Sequence, residues 1–186
     1  MKLRPYQHEC LRRLRARYRE GARRLLVSLP TGTGKTVVFA AMPGFFEMKK
    51  RMLVLAHRQE LLEQAAAKFE AAVPHLPVGI EQGSRHAAPD ARIVLASVAT
   101  VGREESSRLL KLDPEQFYLI VVDEAHHAVA ATYRRVFDHF GLFDEGTKRL
   151  LVGFTATPRR GDKQTLAEVT ARGATTRTTG GTRLAP

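Results

Sequence analysis

Short apolar runs separated by segments with a helical repeat constrain the fold of this chain more than any other feature. Five runs, each four to six residues long and bounded by turn residues, lie at 25–29, 52–56, 93–96, 117–122 and 150–154. The shorter segment 78–80 is a candidate for one further strand. Strands that are apolar on both faces and alternate with helices are typical of a parallel sheet covered on both sides. The sequence therefore predicts a doubly wound α/β domain.

The segments between these runs supply the predicted helices, at 6–18, 35–48, 59–73 and 132–140. In the first segment Leu11, Leu14 and Tyr18 recur at spacings of three and four, which places them on one helix face. The other faces carry Arg12, Arg13, Arg15 and Arg19. We therefore expect this helix to dock on the sheet and to present its arginines to solvent or to a ligand.

The length and composition of the chain fit one globular unit. A chain of 186 residues with 44% hydrophobic residues can bury a core without disulfides or metals. Cys10 is the lone cysteine, no apolar run approaches 18 residues, and Met1 does not open a charged and then apolar leader. We expect a reducing, aqueous compartment, hence the cytoplasm, and no membrane partner.

The net charge of +11 is concentrated at the two ends of the chain. Residues 1–24 carry nine Lys or Arg against two acidic residues, and residues 148–186 carry eight against two. The stretch between them carries 13 against 15. Two basic ends on a nearly neutral core could attract a polyanion through counterion release, or they could simply keep the domain soluble.

The last stretch, 170–186, differs from the rest in composition. It holds six Thr, three Gly and three Arg, and Leu184 is its one large aliphatic residue. Such a segment cannot bury a useful apolar face, so we predict that it is disordered.

The segment 29–36, with the sequence LPTGTGKT, follows an apolar run and opens a predicted helix. Its two glycines would let backbone N–H groups turn toward phosphates, together with the positive N-terminal end of the helix. Lys35 could reach the β- and γ-phosphates, and the Thr36 hydroxyl could bind Mg²⁺. An ordinary strand-to-helix connection is the alternative, but the adjoining Lys and Thr favour nucleotide binding. The predicted contacts are Pro30, Thr31, Gly32, Thr33, Gly34, Lys35 and Thr36.

Two adjacent carboxylates, Asp123 and Glu124, directly follow the run 117–122. They would lie at the carboxyl end of a strand, where ligands of open α/β sheets bind. Asp123 could hold Mg²⁺ directly or through water, and Glu124 could orient and deprotonate an attacking water. An acidic pair in this place is often only a helix N-cap, but its order after the phosphate loop favours catalysis. The predicted catalytic set is Lys35, Asp123 and Glu124.

Six motifs, spread in one order over residues 3–161, resemble those of the superfamily 2 helicases and translocases. Their sequences here are LRPYQ at 3–7, LPTGTGKT at 29–36, VLAHR at 54–58, ASVAT at 96–100, DEAH at 123–126 and TATP at 155–158. They are similar, in turn, to the adenine-reading Q element, the family's Walker A loop, motifs Ia and Ib, the DEAH box and motif III. Because the family's own Walker A loop carries a Pro-Thr-Gly pattern, Leu29 in place of the usual first glycine is no objection.

The resemblance implies roles for residues outside the phosphate loop and the acidic pair. Gln7 would contact the adenine base. The nucleic-acid backbone contacts that it implies are His57, Arg58, Ser97 and Thr100. The residues that it implies for coupling nucleotide state to movement are His126, Thr155 and Thr157, with His126 bridging the acidic element to one of the two threonines.

These residues also have ordinary structural explanations. His57 and Arg58 could cap a strand end. Ser97 and Thr100 could cap a helix. His126 could be a hydrogen-bonded core residue. We expect no metal at His126 and His127, since no further His or Cys lies at ligand spacing.

The sequence around the DEAH and TATP elements is most similar to the branch that contains the motor subunits of restriction enzymes and related DNA translocases. That branch implies two RecA-like domains with ATP in the cleft between them. We therefore expect residues 1–169 to form the first, ATP-binding domain, 170–186 to be a disordered or aberrant tail, and the second domain to be absent. A truncated or frame-shifted gene, an engineered boundary or a natural remnant would each explain that absence.

These observations predict the ATP-binding motor domain of a DNA-dependent ATPase, a helicase or translocase that uses ATP and Mg²⁺. Its expected partner is duplex DNA, and a separate second motor domain or restriction and modification subunits are further candidates. The alternative is a non-catalytic remnant that binds nucleic acid or another protein. A small-molecule P-loop kinase would explain the phosphate loop but neither the DEAH nor the TATP element.

Overall fold

The structure is a computed structural model that describes residues 2–57, 59–104 and 106–156, without the side chain of Gln59. The predicted tail at 170–186 lies outside the described residues, as do two predicted site residues, Arg58 and Thr157.

A six-stranded sheet, parallel throughout, forms the centre of the described chain. Its strands are β1 (Arg24–Ser28), β2 (Arg51–Ala56), β3 (Val78–Glu81), β4 (Ile93–Ser97), β5 (Phe117–Val122) and β6 (Leu150–Thr155). Their order across the sheet is β1-β6-β5-β2-β4-β3. The predicted parallel sheet is therefore confirmed, and the short apolar segment near residue 78 is its edge strand.

In the described residues five α-helices accompany the strands: α1 (Pro5–Arg19), α2 (Lys35–Phe45), α3 (Gln59–Ala72), α4 (Val98–Val101) and α5 (Ala131–His139). The prediction of a helix over 35–48 is too long at its end. The chain leaves α2 because Glu47 adopts a left-handed backbone with φ 51°, a conformation that commonly ends helices. None of the helices in the described ranges has the length and apolar composition needed to cross a membrane.

Both faces of the sheet are buried. Successive residues of a strand point to opposite faces, so Met52 and Val54 join the core beneath α1, α2 and α3, whereas Leu53 and Leu55 join the core beneath α4 and α5. These four side chains are at most 1% exposed. Burial on both faces explains why the strands read as continuous apolar runs.

The carboxyl ends of the parallel strands meet at one edge of the sheet, here called the carboxyl edge. The loop after β1 leads into α2 at this edge, and Asp123 follows β5 there. Only β6 separates β1 from β5 in the sheet, and β2 lies on the other side of β5. This strand order brings segments that are about ninety residues apart in sequence close together in space.

Candidate functional site

The loop between β1 and α2 has a backbone that glycine alone adopts without strain. Gly32 and Gly34 have φ values of 78° and 77°, and a residue with a Cβ atom pays roughly 1–2 kcal/mol for such a left-handed conformation. The loop is anchored because the Leu29 N–H donates to the Thr155 carbonyl at 3.0 Å. Within the loop, the Thr33 hydroxyl donates to the Pro30 carbonyl at 2.6 Å.

Gly34 is the N-cap of α2, and Lys35 and Thr36 begin that helix. The first backbone N–H groups of a helix have no carbonyl partner within the helix. Together with the N-terminal end of the dipole, they make a site for an anion such as a phosphate. The exposed residues Pro30, Thr31 and Gly32 leave this helix end accessible.

The first turn of α1 holds the loop in place. The Tyr6 hydroxyl donates to the Thr33 carbonyl at 2.7 Å, and Gln7 Nε2 donates to the same oxygen at 3.0 Å. Gln7 Oε1 accepts from the Arg4 N–H at 2.9 Å, so both polar atoms of this 4% exposed side chain are engaged within the chain. The expectation that Gln7 contacts adenine stays a prediction. Tyr6 was not among the predicted site residues, and its position beside Gln7 in the first helical turn is the signal for it.

Lys35 and Glu124, which are predicted to serve phosphate binding and catalysis, form an ion pair. Lys35 Nζ lies 2.7 Å from Glu124 Oε1, and the side chains are 10% and 28% exposed. Glu124 has a left-handed backbone with φ 49°, which is uncommon for a residue other than glycine and often marks a functional site. The strand order thus joins the two predicted elements through a direct contact.

Asp123 is a nearly buried carboxylate next to this pair. It is 7% exposed, its N–H donates to the Leu55 carbonyl at 3.0 Å, and its Oδ1 accepts from the Glu124 N–H at 3.0 Å. Burial, and then the charge of Glu124, raise the pKa of Asp123, while Lys35 opposes this shift. A divalent cation would relieve the cost of the buried charge, and carboxylate oxygens are ligands that Mg²⁺ prefers. The donors present therefore fit the predicted magnesium ion, with the partly buried Thr36 as the second candidate ligand.

Three imidazole rings extend the acidic element toward β2. His126 Nδ1 lies 3.3 Å from Glu124 Oε2, and the ring centres of His126 and His127 are 4.1 Å apart. His127 also stacks on His57, with ring centres 5.3 Å apart and planes inclined by 29°. No role for His127 follows from the sequence, because its contact with His57 depends on the pairing of β2 with β5.

The remaining predicted residues lie at the same edge, Thr155 on β6 between the strands of the ion pair and the other two on the side of β4. Ser97 is 6% exposed and occupies the N-cap position of α4, without a capping bond from its side chain. Thr100 Oγ1 accepts from the Gly83 N–H at 3.2 Å. Thr155 is fully buried at the end of β6. The structure therefore brings Lys35, Asp123, Glu124 and His126 together, whereas Ser97 and Thr100 belong to the side of the sheet formed by β4 and β3.

Residues 1–160 match the protein family described as type III restriction enzyme, res subunit. A Schizosaccharomyces pombe protein named as a mitochondrial ATP-dependent helicase, irc3, is 39% identical over 171 residues, covering 90% of this chain and 28% of the helicase. The Escherichia coli type I restriction enzyme EcoAI endonuclease subunit is 31% identical over 164 residues, covering 83% of this chain and 19% of that subunit. The chain thus spans less than a third of the length of these relatives.

Solved structures share the fold. The Hef helicase domain of Pyrococcus furiosus is similar with a TM-score of 0.72 and 25% identity, over 93% of this chain and 37% of that one. The Sulfolobus solfataricus SWI2/SNF2 ATPase core in complex with dsDNA gives a TM-score of 0.64 at 21% identity, over 85% of this chain and 32% of that one. These likenesses confirm the predicted fold class.

Proposed function

Because the chain belongs to the type III restriction enzyme res subunit family and has the RecA-like fold of superfamily 2 helicase domains, we propose that it is the ATP-binding lobe of a DNA-dependent motor ATPase. Relatives of the family are named ATP-dependent helicases. The observation that carries the proposal is the 2.7 Å contact between Lys35 and Glu124. It joins a helix-capping glycine loop after β1 to a carboxylate after β5, with β6 between the two strands.

In this proposal the phosphate loop holds ATP through backbone N–H groups at residues 32–36 and through Lys35. Gln7, which donates to the Thr33 carbonyl of this loop, contacts the adenine base. Thr36 and Asp123 would hold Mg²⁺, which would supply charge neutralisation on the phosphates. The sequence pattern that resembles Walker A and the DEAH box supports this assignment, as does the buried position of Asp123.

In the proposed cycle the Glu124 carboxylate bonds either to Lys35 or to the attacking water. In the structure its carboxylate is bonded to Lys35 at 2.7 Å. When Lys35 binds a phosphate instead, the Glu124 carboxylate can orient and deprotonate the attacking water. His126, 3.3 Å from the same carboxylate, then holds Glu124 in place and acts with Thr155 and Thr157 in coupling nucleotide state to movement.

Duplex DNA is the proposed nucleic-acid partner. One solved neighbour is an ATPase core in complex with dsDNA, and one relative is named an ATP-dependent DNA helicase. His57, Arg58, Ser97 and Thr100 are the proposed contacts, and such contacts hold backbone phosphates without reading sequence. A second motor domain and restriction or modification subunits are the further proposed partners.

Residues 1–186 by themselves are expected to bind Mg·ATP but to hydrolyse it slowly. An arginine finger, which a second lobe would supply, contributes roughly 10³ to 10⁵ in rate to phosphoryl transfer. Unwinding and translocation need two lobes that close and open against each other. We therefore expect neither of them from these residues alone.

The test is Mg·ATP affinity and turnover for residues 1–186, with and without duplex DNA. Lys35→Ala should weaken binding by roughly 100-fold or more, since it removes a charged phosphate contact. Glu124→Gln should bind as tightly as the wild type or more tightly, because it frees Lys35, and should lose the residual turnover. Lys68→Ala, an exposed lysine on α3, is the control and should change neither.

Unchanged ATP affinity in Lys35→Ala would overturn the proposed site. DNA binding by a wild-type chain that does not bind Mg·ATP would instead favour the non-catalytic, nucleic-acid-binding alternative.

A further inference from the structure

The outer face of α1 carries arginines around a shallow cavity of about 360 Å³. The residues that line it, here called the arginine surface, are Arg12, Arg13, Arg15, Ala16, Arg19 and Phe45. The opposite face of the same helix is buried in the core through Cys10, Leu11 and Leu14. The docked helix thus presents its arginines outward on a fixed support.

The guanidinium groups of this surface form a row with an apolar floor. Arg12, Arg15 and Arg19 follow each other at spacings of three and four, so they span about 10 Å of the helix at 1.5 Å per residue. The side chains of Arg12 and Arg15 are 68% and 36% exposed. The Arg15 guanidinium lies over the Phe45 ring, 5.7 Å from its centre. This aromatic ring is the apolar floor.

Acidic residues near the surface neutralise it only in part. Glu9 accepts from Arg12 Nε at 2.8 Å and from Arg13 Nε at 2.7 Å, so one carboxylate serves two guanidinium groups. Hydrogen bonds from Arg12 and then from Arg13 lower the pKa of Glu9 to about 2. Glu47 stands 3.6 Å from Arg15 and is 80% exposed. Such exposed pairs are weak and screened by salt, so an incoming phosphate can replace them.

The arginine surface lies apart from the proposed ATP site and nucleic-acid contacts. Phe45 is the last residue of α2 and Lys35 the first, so the 11 residues of that helix separate them by about 15 Å. The proposed contacts at His57 and Ser97 follow β2 and end β4 at the carboxyl edge. Of the proposed ATP-site residues, Gln7 shares α1 with this surface, five residues or about 7.5 Å before Arg12, and none of them lines it.

We propose that the arginine surface binds the phosphate backbone of a nucleic acid as a second contact, remote from the carboxyl edge. Guanidinium groups donate paired hydrogen bonds to phosphate, and a row of them matches charges that repeat along a strand. Phe45 beside the row offers an apolar face for a base or a sugar. The alternative ligand, an acidic peptide, also carries negative charge, but its carboxylates would make no use of the Phe45 ring. The proposal holds whether or not Lys35 binds nucleotide.

The test is the affinity of residues 1–186 for labelled duplex DNA, measured by fluorescence anisotropy from about 50 to 200 mM salt. The triple variant Arg12→Ala, Arg15→Ala, Arg19→Ala should weaken binding about 10-fold or more at the low end. It should also reduce the slope of log affinity against log salt by about 2 to 3, because each phosphate contact contributes roughly 0.9. Mg·ATP affinity and thermal unfolding should stay as in the wild type.

The matched control removes the same charge elsewhere. Lys68, Lys111 and Lys148 are exposed, and their triple alanine variant should change the affinity less than about 2-fold. Equal losses in the two triple variants would reduce the effect to net charge and overturn the proposal. So would a wild-type chain that does not bind DNA at low salt.

A second variant changes the surface in the opposite direction. Glu9→Gln frees two guanidinium groups and should strengthen DNA binding about 2- to 3-fold at low salt, with a steeper salt slope. Glu70→Gln, an exposed glutamate on α3, adds the same charge and should have a smaller effect. If polyglutamate displaces the DNA as well as single-stranded DNA of equal charge does, the surface serves an acidic protein and the nucleic-acid assignment is wrong.

Discussion

Positive charge lies at both ends of α2, on Lys35 at its start and on arginines of α1 beside its last residue. At the first end Lys35 is 10% exposed and is paired with Glu124, beside the 7% exposed Asp123. At the last end, Phe45 borders arginines whose side chains are 36 to 68% exposed. The charges at the first end are fixed by burial and backbone geometry, whereas those at the last end are fixed only by the helix that carries them.

This difference teaches which kind of change each end tolerates. Buried charges interact strongly and depend on sub-ångström placement, because water does not screen them. Exposed charges act through their number and through the salt concentration. Changes of backbone shape should therefore damage the Lys35 end and spare the arginine surface, and changes of net charge should do the reverse.

The largest effect is expected from Gly34→Ala, which changes shape without changing charge. Both Gly34 and Gly32 have a left-handed backbone, so alanine costs each about 1–2 kcal/mol. A Cβ at Gly34 would lie 2.8 Å from Gln7 Nε2, whereas one at Gly32 meets nothing within 4 Å. Displacing the end of the Gln7 side chain loses its hydrogen bond to Thr33, which adds about 0.5–1.5 kcal/mol to Gly34→Ala, so urea unfolding should rank it below Gly32→Ala.

Nucleotide and DNA binding by Gly34→Ala and Gly32→Ala test whether the two ends of α2 act independently. Gly34→Ala should weaken Mg·ATP binding more than Gly32→Ala does, because it displaces the side chain that holds Thr33. Neither should alter the salt slope of DNA binding that belongs to the arginine surface. A loss of that slope in Gly34→Ala would mean that the two ends of α2 are not independent.

Asp123→Asn should make the folded chain more stable at neutral pH, by about 1 kcal/mol or 2–4 °C in Tm. The pKa of Asp123 is raised by burial above its ordinary value of 3.8. The folded state therefore binds this proton more tightly than the unfolded state, and stability falls as pH rises from the ordinary pKa through the folded one. The gain from asparagine should be complete at neutral pH and should vanish below the ordinary pKa. Thermal unfolding at a series of pH values measures it.

Asp138→Asn is the control, because Asp138 is an exposed residue of α5 and its substitution should leave Tm nearly unchanged. A lower Tm for Asp123→Asn at neutral pH would show that hydrogen bonding to the carboxylate outweighs its burial. Alanine at Arg12 or Arg19 should also leave Tm nearly unchanged, which separates the stability cost at the buried end from the exposed charges of the arginine surface.

The sheet could be predicted from sequence because strands buried on both faces read as unbroken apolar runs. Helix ends were less accessible: α2 stops early at a left-handed glutamate, Glu47, where the usual signal is glycine. The four-residue helix α4 is too short to show a repeat. Strands and longer helices can be recognised from local sequence. The ends of helices can depend on backbone conformations that the residue type does not favour, as at Glu47.

The same limit applies to the candidate site. The phosphate loop and the acidic pair are visible in the sequence, since each is a continuous motif. Their direct contact depends on the strand order β1-β6-β5, and the stacking of His127 on His57 depends on the pairing of β5 with β2. Tyr6 reaches Thr33 across 27 positions. Contacts of this kind follow from topology, which no single segment encodes.

The smallest effect is expected from Tyr133→Phe, in the core beneath α4 and α5. Within the described ranges the Tyr133 hydroxyl is buried without a hydrogen-bond partner. Burial, and then the charge of Asp123, raise the pKa of Tyr133 to about 12, so the group stays neutral and cannot relieve its burial by ionising. Removing an unsatisfied buried hydroxyl should leave the free energy of unfolding unchanged or raise it by up to about 1 kcal/mol.

Tyr6→Phe makes the same chemical change where the hydroxyl has a partner, at 2.7 Å from the Thr33 carbonyl. It should cost about 0.5–1.5 kcal/mol and weaken Mg·ATP binding, because it loosens the phosphate loop. Urea unfolding of the two variants should therefore give shifts of opposite sign or a clear difference in size. A larger loss in Tyr133→Phe than in Tyr6→Phe would show that the buried hydroxyl is satisfied after all. Its partner would then be sought at Asp123, and the cost of burying that carboxylate would be smaller than its raised pKa suggests.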